Sequence, residues 1–162
     1  MQINIKTSGE NQAIVTQLTK KLTGGTKENV IARIALGYSL STGKRFTQQE
    51  FSAYDSQGKE YKDHILFDGQ YRDFYIALIC QAYGITKNDE LIPKYIKQHI
   101  DHGLEKINYL FENNPQYTFF DFLTEYFRKG IDMIEDTPER FDCVENRNQH
   151  ITKSVFSGPI KI

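Results

Sequence analysis

The sequence predicts a mainly α-helical fold, in which an N-terminal strand-helix-helix unit is followed by a helical bundle. Three observations predict it. Polar and apolar residues alternate over residues 2–6, apolar residues recur at helical spacing in several later segments, and glycine or proline turns separate those segments. At 162 residues the chain is long enough to bury a core.

The first residues, MQINIKTS, predict one short strand. Ile3 and Ile5 alternate with Gln2, Asn4 and Lys6, so a strand here would bury the isoleucines and present a polar, basic outer face.

Two helices are expected next. The first carries apolar residues at helical spacing, namely Ile14, Val15, Leu18 and Leu22. TGGT then ends this helix, with Gly24 or Gly25 after its last turn, and Thr26 is the expected N-cap of the second helix. The order of strand, helix and helix is that of a ribbon-helix-helix unit.

Residues 44–70 have no sustained period, but turn signals at SQG and FDG predict short strands near residues 50–68. An apolar helix, YRDFYIALICQAYG, should follow and end at Gly84. The next helix should have Thr86 as its cap, Pro93 in its first turn and a kink at Gly103.

The last predicted helix, within YTFFDFLTEYFRKGIDMIED, has an apolar face wide enough to bury. We therefore expect a domain over residues 1–112, a helix over 113–138 packed on it, and a polar tail over 139–162. Docking of that helix on a partner subunit is the alternative.

Charge is distributed unevenly along the chain. The net charge is −1, yet residues 1–50 hold seven basic residues against three acidic ones. This part of the chain is therefore the one expected to meet nucleic acid. The candidate phosphate-contacting residues are Lys6, Lys20, Lys21, Lys27, Lys44 and Arg45. Lysines at the end of a helix also stabilise its dipole, which is the structural interpretation of Lys20 and Lys21.

Catalytic chemistry has little support in the sequence. The chain has no GxxxxGK[ST] loop, and His99 and His102 could supply two metal ligands but have no recognisable third. Cys80 and Cys143 lack metal spacing, which indicates a reduced, cytoplasmic setting. We expect no catalytic residue, no metal, no cofactor, no membrane span and no signal peptide.

Three stretches resemble the DndE family of bacterial DNA phosphorothioation proteins, in order and spacing. They are KLTGGTKENVIARIALGYSL, ILFDGQYRDFYIALICQAYG and IKQHIDHGLEKINYL. The matching positions are Phe67, Gly69, Tyr71, Tyr75, Ala77, Leu78, His99, His102 and Gly103. The resemblance covers roughly residues 2–112, about two thirds of the chain, and leaves the last helix and the tail without a counterpart.

The resemblance implies a mostly helical, non-catalytic subunit that binds duplex DNA, notably nicked DNA, and forms a homotetramer. Such subunits work beside a cysteine desulfurase, an iron-sulfur protein, a sulfurtransferase-like subunit and an ATPase that replace a phosphate oxygen by sulfur. The modification marks self DNA for defence.

Two other functions stay open at this point. A ribbon-helix-helix regulator would read base edges with Gln2, Asn4 and Lys6. A metal-dependent DNA nicking enzyme would use Asp63, Asp68 and Asp73, which lie close together in KDHILFDGQYRD.

Overall fold

A computed structural model describes residues 2–23, 25 and 27–135, and confirms the mainly helical class. The elements are, in chain order, β1 (Asn4–Lys6), α1 (Gly9–Thr23), α2 (Glu28–Ser41), a 3-10 helix (Gln48–Ser52), β2 (Glu60–Lys62), α3 (Asp63–Leu66), α4 (Arg72–Tyr83), α5 (Ile92–Asn113) and α6 (Phe119–Glu135). The described residues divide into two units, the first ending at Tyr117 and the second beginning at Thr118. None of the helices in the described ranges is long and apolar enough to cross a membrane.

The predicted N-terminal strand is present as β1. Ile3 and Ile5 are buried, while Asn4 and Lys6 are exposed, as the alternation of apolar and polar residues predicts. β1 pairs antiparallel with β2, which places Ile5 opposite the buried Tyr61. The short strand expected near residues 50–68 therefore finds its partner at the N-terminus, because that strand offers an unpaired edge and a shared inner face.

The two expected helices form on either side of the glycine turn. Gly25 has a φ of 94°, a left-handed conformation suited to the turn after α1. Gly24 and Thr26, the other residues predicted to shape this turn, lie outside the described residues. α2 begins at Glu28 after Lys27, whose side chain makes no capping hydrogen bond.

Helix α5 is the centre of the first unit and packs against α1, α2, α4 and β1. Pro93 lies in its first turn, as predicted, and Gly84 ends α4 in a left-handed conformation with a φ of 64°. Thr86 does not cap the helix, because α5 begins after Leu91.

Gly103 lies inside this continuous helix, at the crossing with α2. A Cβ atom added there would be 2.0 Å from the carbonyl oxygen of Ala35. The glycine expected to mark a kink thus allows two backbones to approach closely.

A buried carboxylate fixes the start of α1 to α5. Asp101, fully buried, accepts hydrogen bonds through Oδ1 from Ser8 N (2.9 Å) and Asn11 Nδ2 (2.8 Å). Its Oδ2 accepts from Lys97 Nζ at 2.8 Å, one turn earlier on α5. Since each carboxylate oxygen has a donor, the charge is compensated.

Helix α6 belongs to the second unit. Thr118 and Asp121 cap its start: Asp121 Oδ2 accepts from Thr118 N at 2.8 Å, and Thr118 Oγ1 accepts from Asp121 N at 3.2 Å. Phe119, Phe122 and Tyr126 stack along one face, with ring centroids 6.3 and 6.0 Å apart. Packing of this helix on residues 1–112 stays a prediction, and the expected tail lies outside the described residues.

Candidate nucleic-acid interface

Three of the six predicted phosphate-contacting residues surround the turn between α1 and α2. Lys20 and Lys21 lie in the last turn of α1, and Lys27 immediately precedes α2; all three are exposed. Lys21 Nζ lies 5.2 Å from the centre of the Phe111 ring, a cation–π contact that orients it. Lys20 and Lys21 line one open groove along α1, together with the polar side chains of Gln12 and Gln17.

Two other candidates lie beyond the opposite end of α2. Lys44 forms an ion pair with Glu50 at 2.7 Å. Arg45 donates from Nε to the carbonyl oxygen of Ala82 at 2.8 Å. Because α2 has 14 residues, the two groups of basic side chains are about 20 Å apart along its axis. The structure therefore places these five predicted residues at two locations.

The sixth candidate, Lys6, lies on the outer face of the β1–β2 ribbon. Its register partner is Glu60, and the neighbouring pair sets Asn4 opposite Lys62. β2 thus contributes Lys62, which is not among the predicted residues. A strand pairing across more than 50 residues leaves no local signal in the sequence. This exposed face therefore carries charges of both signs.

Two of the three aspartates of the proposed nicking site pair with the same arginine. Asp63 accepts from Arg72 Nε at 2.9 Å, and Asp73, whose side chain is 97 % exposed, lies 3.5 Å from another nitrogen of Arg72. Asp68 occupies a tight turn with a φ of 52°. Among the described residues, no group of three His, Cys, Asp or Glu side chains is arranged to hold a metal ion.

The two histidines singled out by the sequence belong to a hydrogen-bonded chain. Ser39 Oγ is 2.7 Å from His99 Nδ1 and 2.8 Å from His102 Nδ1. On the other side of His99, Nε2 lies 2.7 Å from the hydroxyl of Tyr83, which accepts a hydrogen bond from Phe46 N at 3.0 Å. These hydrogen bonds join α2, α4, α5 and the connection after α2.

One arrangement of protons gives every group in this series a donor or an acceptor. In it the Tyr83 hydroxyl accepts from the Phe46 N–H and donates to His99 Nε2. His99 then donates from Nδ1 to Ser39, and Ser39 donates to His102 Nδ1. The neutral His102 therefore carries its proton on Nε2, the ring atom turned away from Ser39.

Both imidazoles are held neutral by their surroundings. Burial lowers the pKa of His99 from 6.5 to about 3, and the positive charges of Arg45 and Lys44 and the neighbouring His102 add to the effect. Burial also lowers the pKa of His102, with Lys106 and Lys44 contributing. Each imidazolium would be a partly desolvated cation among other cations.

Acid is expected to destabilise the fold through His99. Its folded-state pKa lies below the unfolded value of 6.5, so its contribution is complete above that pH and is lost as the pH falls towards 3. One such group changes the free energy of unfolding by at most about 1.4 kcal/mol per pH unit. Urea unfolding at about pH 7 and about pH 5 measures this change.

His99→Gln should reduce the difference in the free energy of unfolding between these two pH values. The matched control, His64→Gln, changes an exposed histidine and should retain the full difference. Equal pH dependence in the His99→Gln variant and the parent would contradict the assignment.

Comparison with known proteins identifies the family of this chain. A family model described as DNA sulphur modification protein DndE matches residues 4–114. The chain belongs to the DndE family. The match runs from β1 to the end of α5, close to the residues on which the resemblance was based, and stops before α6.

A solved structure supports the same fold. The crystal structure of DndE from Escherichia coli B7A, described as involved in DNA phosphorothioation modification, is similar with a TM-score of 0.51 and 15 % sequence identity. The similarity covers 65 % of this chain and 96 % of that chain. A search of curated proteins found no match. The DndE fold therefore corresponds to the first unit, and α6 is additional to it.

Proposed function

We propose that this DndE-family chain is a non-catalytic, DNA-binding accessory subunit of a bacterial DNA phosphorothioation system. The family match over residues 4–114 carries the proposal. The exposed Lys20 and Lys21 support it, because they offer charge to a phosphate backbone and none of the residues that line their groove is acidic. Duplex DNA, including nicked duplex, is the proposed ligand, and the cytoplasm is the proposed location.

The proposed assembly is a homotetramer, with a dimer as the fallback. Ile65, Tyr71 and Phe74 are 46 %, 42 % and 59 % exposed on α3 and at the start of α4, and adjacent apolar side chains of this kind mark interfaces. Light scattering at micromolar concentration distinguishes an oligomer from a monomer. Co-expression with the other sulfur-modification subunits, followed by purification, identifies the partner that stays bound.

A ribbon-helix-helix regulator has less support. That architecture pairs β1 with the same strand of a second copy, whereas here β1 pairs with β2 of its own chain. Asn4 Nδ2 donates to Glu60 Oε1 at 3.2 Å, which occupies one of the groups that would read bases. A regulator would show a large ratio of specific to non-specific affinity, and an accessory subunit a small one.

Cleavage of DNA by the purified protein with a divalent metal would instead favour the nicking enzyme.

Replacing Lys20 and Lys21 by alanine is expected to weaken duplex binding and flatten its salt dependence. Each phosphate contact contributes about 0.9 to the slope of log K against log salt, so loss of both contacts reduces the slope by roughly two. Titration of a labelled duplex at several salt concentrations measures this slope. Relative affinities for different sequences should not change, because phosphate contacts carry no sequence information.

The matched control is the Lys87→Ala, Lys94→Ala double variant. It removes the same charge from two exposed lysines outside the predicted set. An unchanged slope in the Lys20 and Lys21 variant, together with lower thermal stability, would assign these lysines to the end of α1 alone.

A further inference from the structure

Two positive charges, those of Lys106 and Lys44, act on the partly buried His102, at one end of the hydrogen-bonded series His99–Ser39–His102. Lys106 lies four residues after His102 on α5, hence on the same face of the helix. Lys44 Nζ is 4.9 Å from the centre of the Phe46 ring, and the edge of that ring contacts His102, with centroids 5.7 Å apart. The Arg45 guanidinium lies 5.9 Å from the Tyr83 ring, at the other end of the series.

The acidic groups near these charges already have partners. Glu50, on the 3-10 helix, accepts from Lys44 and from Thr47 N, and Lys44 is the main cause that lowers the pKa of Glu50 to about 2. Glu105, the neighbour of Lys106, accepts from the Tyr54 hydroxyl at 2.8 Å. α2 contributes only the Ser39 hydroxyl, and α4 only the Tyr83 hydroxyl, whose pKa is raised by burial.

His102 presents a hydrogen-bond donor beside these charges. Its Nδ1 is occupied by Ser39, so its Nε2–H is the donor that remains, and within the described residues no acceptor is bound to it. A neutral imidazole among cations can gain a proton when an anion arrives, because the anion supplies the missing opposite charge. A phosphate group fits both needs, since it accepts hydrogen bonds and carries negative charge.

We propose that Lys106, Lys44 and His102 form a binding site for a DNA backbone phosphate, and that His102 takes up a proton when the phosphate binds. The proposal rests on the proposed function in that DNA supplies the phosphate. The site lies about 20 Å from the lysines of the α1–α2 turn, at the opposite end of α2. Phosphates of one duplex occur at this separation.

The test compares duplex affinity of the full chain at about pH 6 and about pH 7.5, at constant ionic strength. Uptake of one proton makes binding stronger at the lower pH, by up to tenfold per pH unit. Calorimetry in two buffers with different ionisation heats measures the protons taken up. The parent should take up a fraction of a proton through His102, and His102→Gln should take up none and lose the pH dependence.

His64→Gln is the matched control and should behave as the parent, because His64 is exposed on α3. If His102→Gln fails to fold, Lys106→Ala replaces it in the test. This variant should reduce the salt slope by about 0.9. Because the Lys106 side chain is exposed, the melting temperature should not fall. Lys87→Ala, with the same charge change, should leave the slope as it is.

A titration with inorganic phosphate separates this proposal from the proposed function. If phosphate shifts the His102 ring resonances and not those of His64, the site is supported even if the chain binds no duplex. Duplex binding that takes up no proton and has an unaltered salt slope in Lys106→Ala would overturn the site and leave the proposed function standing. Absence of the phosphate-induced shift together with absence of proton uptake would also overturn it.

Discussion

Gly103→Ala is expected to destabilise the first unit strongly. The new Cβ would lie 2.0 Å from the Ala35 carbonyl oxygen and 2.5 Å from its carbonyl carbon, both of them backbone atoms of α2 that no side-chain rotation can move. Separating the two helices opens the core where it is most closely packed. The cost should therefore exceed about 3 kcal/mol, the upper part of the range for an overpacked core.

Thermal unfolding followed by circular dichroism measures this loss. Gly130→Ala is the matched control, because it makes the same change inside a helix, at a position where the described residues outside the helix's own backbone leave no atom within 4 Å of the added Cβ. There the lower flexibility of alanine should stabilise α6 by up to about 1 kcal/mol. A Gly103→Ala variant that melts at the parent temperature would show that α2 and α5 do not cross this closely.

The second large effect is expected from Asp101→Ala. Removal of this buried carboxylate leaves Ser8 N and Asn11 Nδ2 without their acceptor, and it leaves the ammonium of Lys97 without its counter-ion. Breaking a buried ion pair by removing one partner costs about 3–5 kcal/mol. Since domains of this size are stable by about 5–15 kcal/mol, a large part of the stability should be lost.

Lys97→Met in combination with Asp101→Ala tests the cause. The side chain of Lys97 is 12 % exposed. Much of the stability lost in the Asp101→Ala variant therefore comes from the uncompensated charge of the Lys97 ammonium. The double variant should therefore be less destabilised than the sum of the two single variants. Asp73→Ala, at a side chain that is 97 % exposed, should change stability by less than about 0.5 kcal/mol. Additive effects of Lys97→Met and Asp101→Ala would remove the ion pair from the explanation.

The sequence predicted those features that depend on neighbouring residues. The alternation of Ile3 and Ile5 predicted a strand with one buried face, and Gly84 and Pro93 marked the end of one helix and the start of the next. These signals are local, because strand alternation, helix caps and first-turn prolines act within a few residues.

Features that join distant segments could not be predicted in this way. Gly103 indicated a break in the helix, and only the position of Ala35 shows that it serves a close crossing. For the candidate site, the count of basic residues selected Lys44 and Arg45. It left out Lys106, which acts on His102 together with Lys44. Composition reports how much charge a segment has, whereas the fold decides which charges are neighbours.

The contacts of the N-terminus have a consequence for synthesis of the chain. β1 pairs with a strand 56 residues later, and Ser8 binds Asp101, 93 residues later. At about 5–20 residues per second, translation leaves the first strand without Asp101 for roughly 5 to 20 seconds. During that interval the nascent chain has an unpaired strand edge beside exposed isoleucines, a combination prone to intermolecular pairing. The residues made first thus complete their folding only when α5 has been made, and the ribosome-bound chain is the stage at which aggregation and chaperone binding are expected.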